Sequence, residues 1–141
     1  MANADMAKQM MKQQFGISDE DFQIHMSYPQ NRKLAQRIPE LMKYKIVAEV
    51  TEAKYCGAGL KVGQKFVFNT FPAMLIPGES DCPLCVRALG PIANLIVGFW
   101  DRMIEGADPN EGLWSVAECL DPGIKRGGLG HVVFKVSAKK I

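Results

Sequence analysis

The sequence predicts an α+β fold: a four-stranded antiparallel sheet covered by one long helix, with a helical arm in front. Four short segments alternate apolar and polar residues with a period of two, as strands with one buried face do. One longer segment repeats its apolar residues at spacings of three and four, as an amphipathic helix does. Connections within each pair of strands are hairpin-length, so the pairs are antiparallel, and the helix between them supplies a second layer.

The 141 residues divide into an arm, 1–42, and a core domain, 43–141. In the arm, Met6, Met10 and Gln14 line one side of a polar helix, with Met11 beside them, and Gly16 can end it. Ser18 caps a second helix whose first turn holds Asp19, Glu20 and Asp21. Phe22 and Met26 are its apolar positions, and Tyr28-Pro29 closes it. A third piece starts near Pro29, carries Leu34 and Ile38, and is interrupted or restarted at Pro39. None of these segments is apolar enough to form a core alone. The arm therefore packs on the domain or on a neighbour. Met-rich surfaces adapt well to partners, so a homo-oligomer or a partner protein held through the arm is expected.

In the core domain, Lys45–Lys54 is the first strand, with Ile46, Ala48 and Val50 on one face. A turn through Cys56 and Gly59 follows. Lys65–Asn69 is the second strand, with Phe66 and Phe68 inward. A Pro-rich loop leads into the helix, expected from Pro83 to about Glu105. Ser80 or Asp81 would cap it, with Pro83 in the first turn. Cys85, Leu89, Ile92, Ile96, Phe99 and Met103 form its stripe, and Gly90-Pro91 is a candidate kink. Leu113–Cys119 is the third strand, Asp121 to Gly130 a glycine-rich turn, and His131–Val136 the fourth strand.

A net charge of +2 is too small to suggest nucleic acid. The basic ending, Lys135, Lys139 and Lys140, reads as a solvated strand end. No apolar run approaches the roughly eighteen residues of a membrane span. The first residues lack the apolar centre of a signal peptide. A cytoplasmic protein with reduced thiols is expected. There, four cysteines suggest metal or redox chemistry more than a disulfide framework.

Three readings of those cysteines stand open. Cys82 and Cys85 flank a helix start, Cys56 lies in a Gly-rich turn and Cys119 ends a strand, so all four can converge as ligands for an iron–sulfur cluster or zinc. Such a protein would be a small accessory or electron-transfer subunit. Alternatively, the helix N-terminus lowers the pKa of Cys82, making a thiol-dependent enzyme or redox protein with Cys85, Cys119 or His131 nearby. Against this, a thioredoxin-like chain needs a βαβ unit, and only a hairpin follows. Third, the cysteines are small buried hydrophobes, and the protein is a non-catalytic interaction module. Lys125, Arg126, Gly127 and Gly128 form a basic loop that could hold an anion. It leads into a strand rather than a helix, which favours a tight hairpin. Trp100, Trp114 and Phe71 line an apolar pocket or simply belong to the core, and His25 reads as a surface residue.

Cys56-x-Ala-Gly-x-Lys-Val-Gly-x-x-Phe, Cys82-Pro, Ala88-Leu89, Cys119-x-Asp-Pro and Val132-Val133-Phe134-Lys135-Val136 occur in this order. Together they resemble a family of small uncharacterised bacterial and archaeal proteins. The resemblance covers roughly Lys45 to Val136 and implies a compact α+β domain with cysteines in three turns. It implies no established activity. Members of that family often read Cys-Pro-Ala-Gly-His in the first motif. Here Leu60 stands where they have histidine.

Overall fold

The structure is a computed structural model that describes residues 2–141; Met1, the first residue of the expected arm, lies outside them. Four helices and a four-stranded antiparallel sheet make the fold α+β. The helices are α1 (Ala2–Phe15), α2 (Asp19–Ser27), α3 (Pro29–Leu41) and α4 (Val86–Ile104). The strands are β1 (Tyr44–Lys54), β2 (Lys65–Asn69), β3 (Val116–Glu118) and β4 (His131–Lys140), ordered β2-β1-β4-β3.

In the arm, Ser18 caps α2 as expected, its hydroxyl oxygen accepting from the Asp21 amide at 3.0 Å. Pro39 does not break α3, which runs through it to Leu41. A small cluster of Ala7, Ala35 and Ile38 joins α1 to α3, with Met10 and Met26 packed on it. Met6 faces solvent. Leu34 touches both this cluster and the main core, and Leu41 is fully buried within the main core. The arm is thus packed on its own chain.

The main core combines strand and helix residues in one apolar cluster. β1 contributes Ile46, Ala48 and Val50, β2 contributes Phe66 and Phe68, and β4 contributes Val132, Phe134, Val136 and Ala138. Strand β4 extends four residues past Val136, because Lys139 and Lys140 pair with Lys45 and Tyr44 at the start of β1. From α4 come Ala88, Ile92, Ile96, Phe99 and Met103. The register of β1 on β4 shifts between Val50 and Glu52, which leaves Thr51 as the extra residue of a bulge.

Helix α4 begins at Val86 rather than Pro83. The expected caps are engaged elsewhere. Ser80 Oγ accepts from the Val67 amide at 2.8 Å, and Asp81 Oδ1 accepts from the Lys65 amide at 2.6 Å. The loop leading to α4 therefore satisfies the outer edge of β2, an edge that would otherwise present unpaired amides. Cys85 takes the N-cap position without making a side-chain capping bond. Trp100 stands against Phe71, ring centroids 6.1 Å apart, and donates to the Thr70 carbonyl. Trp114 is exposed to solvent. Among the described residues no helix is long and apolar enough to cross a membrane.

Candidate functional site

One end of the sheet is built around a carboxylate. Between β3 and β4 the chain makes a loop, 119–130, that contains a 3-10 turn at Ile124–Arg126 and is longer than a tight hairpin. Asp121 holds it closed. Its Oδ1 accepts from the amides of Gly123 and Leu129, both at 3.0 Å, and its Oδ2 accepts from Gly130 at 3.1 Å. Gly123 and Gly127 adopt φ of +84° and +86°, conformations that favour glycine. Gly128 packs so closely on Asp121 and Pro122 that a side chain has no room.

Those amide bonds, Gly123's foremost, hold the Asp121 carboxyl below its usual range against a partial desolvation that raises it; the Arg87 guanidinium adds to the lowering. A depressed pKa means that the bonds stabilise the fold above the unfolded value of about 3.9 and are lost as pH falls through the folded value. The amide proton shifts of Leu129 and Gly130 should therefore titrate together with a midpoint below about 3.9. In Asp121→Asn that titration should vanish. A shared midpoint at or above the ordinary carboxylate value would contradict this account of the loop.

The same loop positions the sulfur atoms. Cys119 Sγ accepts from the Val132 amide at 3.3 Å and donates to the Asp121 carbonyl at 3.7 Å. Cys56 lies just past β1, after Tyr55, which has a left-handed φ of +51°. The backbone of Gly130 runs directly against Tyr55 and Cys56, leaving no space for a Cβ. The Leu120 amide donates to the Arg87 carbonyl at 3.1 Å and ties the loop to the start of α4, where Cys85 sits. As a result Cys56, Cys85 and Cys119 line one small cavity of about 30 Å³, together with Asp121 and His131. All three thiols are half-buried and free.

Cys82 is not in that lining. Four converging cysteines were the expectation for one site; three line this cavity. Activation of Cys82 by a helix start is also reversed. The residue precedes α4 by four positions, and burial first, then the charge of Asp81, push its thiol up to about 11. Among the described residues no group of three or more His, Cys, Asp or Glu side chains is arranged to hold a metal ion as they stand.

His131 joins this cavity to a second, larger one. A cleft of about 340 Å³ is lined by Lys54, Tyr55, Glu118, Lys125, Arg126 and His131, with Ile124 and Leu129 among its apolar residues. Lys125 and Arg126 thus lie where an anion could meet them; Gly127 and Gly128 shape the loop and are not in the lining. The imidazole Nδ1 is 2.8 Å from the Asp121 carbonyl. A carbonyl only accepts, so Nδ1 carries the proton and Nε2 is left facing Glu118, 3.7 Å away. His25, by contrast, meets the Asn31 side chain in the arm.

From the sequence, Asp121 belongs to the glycine-rich turn, Tyr55 to the turn at Cys56 and Glu118 to a strand as an acid without an identifiable partner, but none of them, nor Lys54, is assigned a role at this end of the molecule. A signal existed for the first. An aspartate followed by Pro122 and by glycines at 123, 127, 128 and 130 is the composition of a loop folded around a side-chain acceptor. Comparison with family models, with curated proteins and with solved structures finds no match to this chain.

Proposed function

We propose that the protein binds a soft metal ion through Cys56, Cys85 and Cys119. One observation carries this reading: three of the four cysteines, from three separate parts of the chain, line one cavity. All three are half-buried: they pack against the edge of the main core and also face this cavity. The donor chemistry fits zinc, with three thiolates and either an imidazole or a water completing four ligands. A cavity of about 30 Å³ has room for one ion or a water, which favours a single zinc ion over an iron–sulfur cluster. The donors must move together and lose their protons, so binding is coupled to local ordering and tightens as pH rises. Cys119 gives up its bond to the Asp121 carbonyl when its thiol is deprotonated.

Cobalt titration of the reduced protein tests this, because a cobalt–thiolate bond has its own charge-transfer absorption. One equivalent should bind. Replacing Cys56, Cys85 or Cys119 by serine should weaken binding by about a hundredfold, whereas Cys82→Ser should leave it unchanged. Absence of the thiolate band from the unaltered protein, or an equal loss in Cys82→Ser, would overturn the assignment.

A further inference from the structure

The larger cleft shares His131 with the thiol cavity and has a chemistry of its own. Its walls carry three cations, Lys54, Lys125 and Arg126, against one carboxylate, Glu118. The lining is therefore net positive by two charges. Neither Lys125 nor Arg126 forms an ion pair among the described residues. Beside the cations stand apolar groups that are otherwise unexplained on a surface: Tyr55, Ile124 and Leu129 are 61%, 58% and 61% exposed. The Lys54 ammonium lies over the Tyr55 ring, 5.3 Å from its centre, which keeps charge and aromatic surface adjacent.

These groups are held in place before any ligand arrives. Asp121 fixes Leu129 and Gly123 by their amides, and the turn at Ile124–Arg126 hangs between those two anchors. Pre-ordering of this kind lowers the entropy lost on binding. The cleft volume lies at the lower end of the roughly 300–1,000 Å³ typical of small-molecule sites. We propose that this cleft binds a small organic anion with an apolar body, its carboxylate or phosphate group against Lys125 and Arg126 and its body against Tyr55, Ile124 and Leu129. His131 and Glu118, whose Nε2 and Oε2 stand 3.7 Å apart, are further polar groups of the lining.

Three probes separate the two halves of this recognition: benzoate, benzamide and inorganic phosphate, each titrated into the full-length protein and followed by amide NMR. Benzoate should shift the signals of Ile124, Arg126, Leu129 and His131 and saturate. Benzamide, with the body but no charge, and phosphate, with charge but no body, should each bind at least about tenfold more weakly. Lys125 and Arg126 are exposed, so replacing either by alanine leaves the fold intact. Arg126→Ala should weaken benzoate about tenfold and leave benzamide unchanged. Equal affinities for benzoate and benzamide would overturn the anionic half, and phosphate binding as tightly as benzoate would overturn the apolar half. Benzoate shifts that fail to saturate, or that fall elsewhere on the molecule, would overturn the site as a whole.

Discussion

Ile92→Asp is expected to give a chain with no cooperative unfolding transition. Ile92 is fully buried midway along α4, in the apolar cluster that also holds Phe66, Phe134 and Val136. A bare carboxylate there would cost far more than the fold can supply, so the group would take up a proton instead. Even neutral, it leaves a polar group without a partner, at a cost of about 1–3 kcal/mol, and forfeits an isoleucine side chain, at about 2–5 kcal/mol. The total is comparable with the whole stability of a domain this size, about 5–15 kcal/mol. Ile92→Val is the control: about 1 kcal/mol and a Tm lower by about 4 °C. Urea titrations read by circular dichroism distinguish the two. A cooperative transition for Ile92→Asp near the wild-type midpoint would mean that α4 does not pack by this stripe.

That experiment concerns a part of the fold legible in the sequence, and the reason is periodicity. β4 alternates buried and exposed residues from Val132 to Ala138, and α4 repeats its buried residues at three and four. Where periodicity was the signal, the element types agree with the structure and the ends differ: β4 runs on to Lys140, and the stripe of α4 begins at Ala88, with Cys85 at the N-cap and Leu89 only partly buried. Where local cues competed, boundaries moved. Leu113 and Trp114 look like strand residues, but β3 pairs only at Val116, Ala117 and Glu118, and the two larger side chains remain in solvent. Ser80 and Asp81 look like helix caps, yet the edge of β2 claims them. A capping residue offers an acceptor to whichever orphan amide the tertiary fold brings closest, and no local pattern says which.

The site was legible only as a list of residue types. Cysteine spacing named four thiols, and His131, Lys125 and Arg126 were visible as isolated groups. Their division into a thiol cavity and a basic cleft depends on contacts between segments far apart in sequence, such as Leu120 with Arg87 and Gly130 with Tyr55. The raised pKa of Cys82 likewise follows from burial and from Asp81, and burial is a property of the assembled fold.

The close approach at Gly130 yields the second large effect. A Cβ at this position would overlap the Tyr55 carbonyl oxygen, lie 2.8 Å from the carbonyl carbon, and come within 3.1 Å of the Cys56 Cα. All three are backbone atoms, so no side-chain rotation relieves the overlap. Gly130 cannot retreat easily, because its amide is bonded to Asp121. Tyr55 cannot either, since it already occupies a left-handed conformation and adjoins the β1–β4 ladder at Lys54 and His131. Gly130→Ala should therefore destabilise by about 3 kcal/mol, lowering Tm by about 10 °C. It should also weaken cobalt binding, because the turn it pushes away carries Cys56. Gly57→Ala, in the adjoining turn, is the matched control. No atom lies within 4 Å of a Cβ built there, so its stability should stay within about 0.5 kcal/mol of wild type. Thermal unfolding of the two variants side by side decides the matter. If Gly130→Ala melts with Gly57→Ala, the two segments are not held in contact, and the thiol cavity they enclose loses its basis.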